Sequence, residues 1–398
     1  MSLSNFSSSK PRLYVFGHSA ALSGAELNLL RSVAKFKEFD VTVIVGEDGP
    51  LVGALRNRGI KVFVVPLSRA AAQWRSSGAR FSTNKILAPL SLAAHGLRLG
   101  IRLYRDKPDL LYTNSAKAHI YGGIAGRIMR RPVVAHLHDR ISDDLMSKFN
   151  MLAINIAMKF LVSGIIANSK STAQTLQTSV AVPVVVIPCA LEEDIPVRVA
   201  TEKEYVRFVV SGRISPWKGQ HLAIEAFSRI RDRIPNGSTL DLMGGALFGE
   251  VDYQNDLEAL ISKHGLSDWV NVRGHVNNAP SKLRNYDVLL HTSTVPEPFG
   301  QVITEGLAAQ VPVIAADAGG PSEILTHNFD GLLYPAGDVQ ALADAMLTAS
   351  LSPGLRTRLA ANGKRTASRY DVVEIVPEVE KFLASILARQ STHTHRAA

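Results

Sequence analysis

Residues 289–325 read LLHTSTVPEPFGQVITEGLAAQVPVIAADAGGPSEIL, and no other stretch restricts the fold of this chain as much. The short run 287–290 predicts a buried strand. A loop with two prolines follows and ends in Phe299-Gly300. Residues 301–309 place Val302, Leu307 and Ala308 among good helix formers, which predicts a helix. A second buried strand is predicted over 313–316, ending in Ala318-Gly319-Gly320-Pro321. Strand, loop, helix, strand, loop is one βαβ unit, and it implies a parallel sheet.

Two carboxylates bracket the loop, Glu297 before it and Glu305 one turn into the helix. The helix start between them offers unpaired N–H groups and the positive end of the helix dipole, which is an anion site. Carboxylates that accept from hydroxyls, beside backbone donors suited to phosphate, describe a nucleotide-sugar pocket. Glu305 would take the ribose hydroxyls and Glu297 the transferred sugar. Two surface glutamates on any α/β domain fit the same spacing. With seven residues between them and Phe299-Gly300 inside the interval, Glu297 and Glu305 resemble the signature of the retaining glycosyltransferases of the GT-B fold. The match is to their large family four, which uses nucleotide sugars.

At 398 residues the chain is long enough for two domains of ordinary size. Its one cysteine, Cys189, has no partner for a disulfide and no metal-ligand pattern around it. The polar start MSLSNFSSSK is not a secretory signal. No apolar run reaches the roughly 18 residues that span a bilayer. A cytoplasmic protein is the simple expectation. Net charge is +9 and unevenly placed: residues 1–190 carry 24 Lys/Arg against 10 Asp/Glu, the remainder 20 against 25. This asymmetry points to an anionic surface or substrate facing the first half. No basic-aromatic module or DNA-reading motif is present, so nucleic acid is not the expected partner. The inner face of the cell membrane or a phosphorylated acceptor fits better. A solvated basic surface without a partner also fits.

In the first half, residues 1–10 are expected to be disordered and 11–190 to form a Rossmann-like domain. Strands are predicted at 13–16, 41–45, 61–65, 109–112, 133–136 and 164–167, with helices between them, giving a doubly wound sheet. The turn after the first strand, Ser23-Gly24-Ala25-Glu26, sits where such domains approach phosphate. It lacks GxGxxG, which argues against a nicotinamide cofactor. It resembles the family's Gly-Gly-x-Glu loop over the donor phosphates, with Gly24 kept and Ser23 replacing the first glycine. Residues 86–104 predict a long apolar helix whose Arg98, Arg102 and Arg105 form one stripe. They are either a solvated edge or a contact for lipid headgroups. Trp74, Arg75, Arg80 and Phe81, in the tract 69–81, could add a mobile amphipathic loop to that contact. The strand PVVAHLHD, 132–139, releases His138 into the crevice where open α/β sheets bind ligands. The resemblance gives His138 a contact with the donor sugar, and His136 shares its face. Asn168-Ser169 fits both the acceptor side of the family and simple helix capping.

The linker is expected from Cys189 to Val199. The family commonly has Pro-Asn-Gly here, where this chain has Pro188-Cys189-Ala190. A second Rossmann-like domain spans 191–370. Its strand 207–211 runs into Gly212-Arg213-Ile214-Ser215-Pro216-Trp217-Lys218-Gly219. Two fixed cations offset the charge that develops on a departing diphosphate. Arg213 can bond two oxygens, and Lys218 acts as a point charge. The predicted edge strand 269–276 ends in Gly274-His275-Val276, which resembles the segment holding the nucleobase. A last helix, 371–388, would cross back to the first domain, and 389–398 would be a disordered tail.

The resemblance implies an α/β protein of the GT-B type, two Rossmann-like domains facing each other across a cleft. It implies a metal-independent transferase that keeps anomeric configuration, since no Asp-x-Asp occurs and no cofactor is called for. The donor is a nucleotide diphosphate sugar, UDP- or GDP-linked. His138, Arg213, Lys218 and Glu297 would carry the chemistry. Gly24, Gly212, Val276, Phe299, Gly300, Gln301, Val302 and Glu305 would join in holding the donor. The acceptor would be a lipid-linked or anionic glycan in surface polysaccharide or glycolipid assembly, with a soluble small molecule as the alternative. Epimerases and phosphorylases share the fold, and an inactive binding protein is the other class of reading.

Overall fold

The computed structural model describes residues 10–396, apart from 73–83, 145, 177–179, 193, 200–203 and 247–248. All but Lys10 of the segment 1–10 therefore lies outside the described residues, as do Trp74, Arg75, Arg80 and Phe81. The chain divides into two units, residues 1–190 together with 372–398, and residues 191–371.

The first unit is built on seven strands, β1 (Arg12–Gly17), β2 (Asp40–Val45), β3 (Lys61–Val64), β4 (Leu110–Thr113), β5 (Val133–Leu137), β6 (Gly164–Ala167) and β7 (Val184–Val186). Their order is β3-β2-β1-β4-β5-β6-β7, and every pair is parallel. The central strands are near-continuous apolar runs because helices cover both faces of the sheet. On one face the helices Gly24–Val33 and Pro50–Asn57 pack over Leu13, Val15, Val43 and Val134. On the other, the helices Asn84–Leu103, Ala116–Met129 and Lys148–Phe160 cover Phe16, Leu111, Val133 and Ile165.

The chain's last helix, Val372–Arg396, belongs to this first unit. It buries Val372, Ile375, Val376, Val379, Leu383 and Ile386 in the same core as Leu13 and Val43. Its Glu380 accepts the backbone N–H groups of Lys37 and Glu38 at 2.8 and 2.7 Å. The helix does not stop at residue 388 and leave a disordered tail over 389–398. It continues to Arg396, because LARQSTHTHR holds neither Gly nor Pro to end it.

The second unit has six parallel strands, β8 (Arg207–Ser211), β9 (Thr239–Met243), β10 (Val270–Gly274), β11 (Val288–His291), β12 (Val313–Ala316) and β13 (Leu332–Tyr334), in the order β10-β9-β8-β11-β12-β13. β10 is an edge strand but ends at Gly274, whose φ is +65°. Val276 therefore lies in the loop beyond the strand rather than on it. Arg198, in the incoming segment, is held by Asp287 at 2.6 Å just before β11. Each sheet has one place where the strand order turns back, between β1 and β4 and between β8 and β11. Open α/β sheets bind ligands at such reversals.

The close seat of the Asn84–Leu103 helix on the Ala116–Met129 helix depends on glycine. A Cβ on Gly96 would come within 2.5 Å of the Tyr121 carbonyl oxygen, a backbone atom that cannot step aside. Gly96→Ala is expected to destabilise the first unit by about 1–3 kcal/mol in urea unfolding. Gly53→Ala meets nothing within 4 Å in the Pro50–Asn57 helix. It is expected to stabilise by about 0.5–1 kcal/mol. Equal effects for the two substitutions would contradict the packing described.

Candidate active site

In the second unit the polar residues collect where β8 and β11 end. The Lys218 ammonium sits 2.7 and 2.9 Å from the two carboxylate oxygens of Glu297. Ser293 Oγ donates to Glu297 Oε2 at 2.7 Å, and His291 Nε2 stands 3.2 Å from the same oxygen. Lys218 Nζ also lies 4.1 Å from the centroid of the Trp217 ring. Burial alone would raise the Glu297 carboxyl. The Lys218 charge and the hydrogen bonds from His291 and Lys218 outweigh it and hold the group well below the usual carboxylate range. Glu297 is thus an ionised, fully engaged carboxylate.

Close backbone approaches hold this cluster in place. A Cβ on Gly219 would fall 2.0 Å from the Thr292 carbonyl oxygen, so the loop after β8 lies directly on the exit of β11. Thr292 Oγ1 returns a hydrogen bond to the Lys218 carbonyl at 2.8 Å, and the Thr294 N–H donates to Trp217 O at 2.8 Å. On the far side, Glu297 pairs through its backbone with the turn after β12. Its N–H donates to Ala318 O at 3.1 Å, and its carbonyl accepts from Gly320 N at 2.8 Å. A Cβ on Gly319 would lie 2.4 Å from that same carbonyl.

The remaining predicted residues of this unit lie on the same strand ends. Gly212 and Arg213 follow β8; Arg213 is half-buried, and its carbonyl accepts from Gln220 Nε2 at 2.9 Å. Phe299 is buried edge-on against Tyr370, with ring centroids 5.7 Å apart. Gly300, at φ +99°, turns the chain into the helix Gln301–Ala308, which carries Gln301, Val302 and the buried Glu305. Val276 stands apart, beyond β10.

Gly24 and His138 belong to the first unit. Gly24 opens the helix Gly24–Val33, with Ser23 as its N-cap at φ −109°. That is an ordinary extended conformation, so serine in place of glycine costs nothing there. The Ser23 hydroxyl donates to Glu26, a buried carboxyl raised to about 7 by desolvation despite that hydrogen bond. Neither Cys189 nor Ala190 adopts a positive φ, so the absence of Asn-Gly leaves no strain. The Gly24–Val33 helix holds that segment instead. Asn28 Oδ1 accepts the Ala190 N–H at 2.7 Å, and Arg31 donates to the Ala190 carbonyl at 3.3 Å. Ser169 caps the short helix Lys170–Ala173 by accepting from Thr172 N at 2.9 Å.

The two candidate histidines stack on each other, with ring centroids 4.1 Å apart, but they sit in different settings. His136 is buried inside β5 and hydrogen-bonded to the Tyr112 hydroxyl. His138 lies just beyond the strand, half-buried, and lines a small cavity with Ser115, His119, Ile141 and Met146. Asn114, which follows β4, fixes its protonation. Asn114 Nδ2 donates to the Ala25 carbonyl at 3.0 Å, so Oδ1 faces His138 Nε2 at 2.8 Å. Nε2 therefore carries the hydrogen, and Nδ1 is a bare acceptor with no partner among the described residues. Sequence reading missed Asn114, His291 and Ser293. The signal was present for the latter two, which alternate on the exit of β11 and face one way.

Two family models match the chain in succession, Glycosyltransferase Family 4 over residues 27–194 and Glycosyl transferases group 1 over residues 192–366. The chain is 38% identical over 120 residues to the lipopolysaccharide core biosynthesis glycosyltransferase LpsD of Rhizobium meliloti, covering 30% of this chain and 35% of that one. It is 32% identical over 136 residues to a phosphatidyl-myo-inositol mannosyltransferase of Mycobacterium leprae, covering 33% and 36%. The matches thus span about a third of the length of these curated relatives. Among solved structures, Anabaena HepE in complex with UDP and glucose superposes with a TM-score of 0.80. It is 29% identical, with 94% of this chain and 100% of that one covered.

Two outcomes follow from the geometry. Lys218→Met leaves the Glu297 carboxylate buried without its counter-charge, and urea unfolding of the second unit is expected to show a loss of about 3 kcal/mol. Adding Glu297→Leu should recover at least half of it; no recovery would show that the carboxylate is not the cause. The second outcome concerns pH. Burial pushes His18 down to about 4, His119 and His138 to about 3, and His136 well below its usual value. Their folded pKa values are depressed, so the unfolded chain takes up protons first. Stability falls as pH drops below about 6.5, by up to about 1.4 kcal/mol per pH unit for each histidine. Glu26 works the other way: its folded form keeps a proton, so acidification below about 7 favours folding through that group. The histidines outnumber it, and the urea midpoint of the first unit should be lower at about pH 5 than at about pH 7. An unchanged midpoint would mean that these imidazoles are not held neutral.

Proposed function

The chain belongs to the group 1, family 4 glycosyltransferases of the GT-B fold, and we propose that it moves a hexose from a nucleotide diphosphate sugar to an acceptor hydroxyl. The observation that carries this reading is the Lys218–Glu297 pair joining the loops after β8 and β11, at the reversal of strand order in the second unit. In this reading the donor's nucleotide lies on the second unit. Arg213 and Lys218 face its diphosphate. Lys218 has three N–H groups and directs two at Glu297, which leaves one for a phosphate oxygen. Glu305 takes the ribose hydroxyls, and the helix start at Gly300, Gln301 and Val302 takes a phosphate. Val276 and Gly212 line the base and phosphate paths. On the first unit, Gly24 belongs to the loop at the donor phosphates, and His138 stands on the side of the transferred sugar.

Anomeric configuration is retained by same-face attack. The acceptor oxygen bonds to the anomeric carbon as the bond to the diphosphate breaks, and the acceptor's proton goes to the departing phosphate oxygen. Supporting this, Glu297 accepts from Lys218 and Ser293 and lies within hydrogen-bond reach of His291, so it is engaged as a positioning group. The cations at the diphosphate make a divalent ion unnecessary. HepE in its complexes with UDP and UDP-glucose is the reason to test uridine donors first. The basic first half and the lipopolysaccharide and phosphatidylinositol relatives favour a lipid-linked or anionic acceptor, reached at the inner face of the cell membrane.

A thermal-shift panel of nucleotide diphosphates and their sugars, with and without a chelator, tests the reading. One nucleotide near 100-fold over its Kd should raise the melting temperature by about 5 °C. The shift should persist with chelator and vanish in Arg213→Ala and Glu305→Ala. No shift with any nucleotide would remove the donor site. A glycosyl adduct trapped on Glu297 would remove the same-face route.

A further inference from the structure

The Lys148–Phe160 helix is apolar on two faces. Inward, Ile154, Ala157 and Met158 are buried in the core of the first unit. Outward, Phe149, Leu152, Ile156 and Phe160 remain 44–55% exposed. Their spacing of three, four and four puts them on one stripe, about 20 Å long for a helix of this length. A surface helix ordinarily turns charged residues to water on its outer side. The Asn84–Leu103 helix, in the same layer, repeats the pattern with Leu90, Leu97 and Ile101 at 45–63% exposure. Contiguous apolar surface of this kind marks a contact.

Charge selects the partner. The sequences of the three helices in this layer, Asn84–Leu103, Ala116–Met129 and Lys148–Phe160, hold seven Lys or Arg and no Asp or Glu. Lys148 and Lys159 flank the stripe at its two ends, and Lys159 Nζ lies 5.3 Å from the Phe160 ring centroid. The ammonium is thus seated at the aromatic ring that ends the stripe. Arg127 donates to the Phe160 carbonyl at 3.0 Å, adding a cation at the helix C-terminus. Of the aspartates in the loop before the helix, Asp144 is engaged by Arg140 at 3.2 Å. Among the described residues, no helix is long and apolar enough to cross a membrane.

We propose that this helical layer docks on an anionic lipid bilayer, with the Lys148–Phe160 helix lying in the plane of the interface and its four apolar side chains entering it. Apolar residues edged by cations are what such in-plane helices carry, and each cation gains from the negative surface potential of anionic lipids. A second copy of the chain would bring a like-charged face against this one, which disfavours self-association there. The proposal deepens the lipid-linked acceptor reading, on which its biological meaning rests, and it can be measured without catalysis.

The test is co-sedimentation of the full chain with vesicles of phosphatidylcholine alone and of phosphatidylcholine mixed with phosphatidylglycerol. Binding is expected only to the anionic vesicles and should weaken with salt. Ile156→Ser/Phe160→Ser should lower the partition by at least about tenfold, since each apolar side chain kept in water forfeits more than a factor of ten. Lys148→Glu/Lys159→Glu should reduce the salt-sensitive part. All variants should keep the wild-type melting temperature and nucleotide response, which separates lost docking from lost folding. No binding to anionic vesicles at low salt, or equal binding by the serine variant, overturns the proposal. So does a dimer in light scattering that the serine variant dissolves while vesicles go unbound. If vesicles bind but no nucleotide shifts the melting temperature, the transferase reading fails and the docking surface stands; the reverse result sinks the docking surface alone.

Discussion

Lys218 and Glu297 are 79 residues apart in sequence, and they meet only because β8 and β11 are neighbours in the sheet. The helices that follow these two strands carry the chain to opposite sides. The two loops therefore part company just above the sheet, and the ground between them belongs to no single βαβ unit. Two opposite charges placed there are largely out of water, so each depends on the other. Without Lys218, the Glu297 carboxyl would be driven upward by burial; with it, the group stays ionised. Ser293 and His291 complete the shell of Glu297, and both arise from the exit of β11. The polar cluster of the second unit is thus a direct consequence of its strand order.

Such a site needs three loops closer together than side chains allow, and glycine supplies the approach. Gly219 puts the turn after β8 against Thr292, and Gly319 puts the turn after β12 against Glu297. At Gly219 a positive φ adds to the steric demand, since its left-handed turn leads straight into the helix Gln220–Ile230. These contacts are backbone to backbone, so no repacking of side chains would relieve a larger residue. The result is a carboxylate fixed by its own main chain on one side and by a lysine on the other. The first unit reaches a comparable outcome by different means. Asn114 spans from the Ala25 carbonyl to His138, so one amide sets both the loop at the start of the first helix and the tautomer of the imidazole.

Much of the fold was open to sequence reading because parallel strands buried on both faces are continuous apolar runs. Strands 164–167, 207–211 and 313–316 match their predicted limits. Arg213, Lys218, Glu297 and Glu305 were readable because each stands at a fixed offset from such a strand. Asn114 was not, and although the alternation of His291 and Ser293 on the exit of β11 was visible, their contacts with Glu297 were not. Their importance lies in what they touch across the sheet, and a linear pattern of residue types does not carry that pairing. Ser23 failed in the opposite way. It looked like a disturbance by comparison with glycine, but a φ of −109° shows a position with no demand for one. The extent of the last helix was missed because a polar composition was taken for disorder, where the absence of Gly and Pro was the better guide.

The two helical layers of the first unit share one architecture and differ in what covers them. On one side, the Val372–Arg396 helix returns from the end of the chain and places six apolar residues in the core with the strands. That helix also satisfies backbone donors at Lys37 and Glu38 through Glu380, so it is locked by polar contacts as well as by burial. On the other side, the Lys148–Phe160 helix turns two aromatic and two aliphatic side chains outward. Evenly spaced apolar residues across a whole helix face are not the scatter that every protein surface shows. The asymmetry of charge follows the same division, since acidic residues are missing from all three helices of this second layer. Apolar exposure and cationic composition coincide in one layer, and an anionic apolar interface such as a lipid leaflet answers both at once.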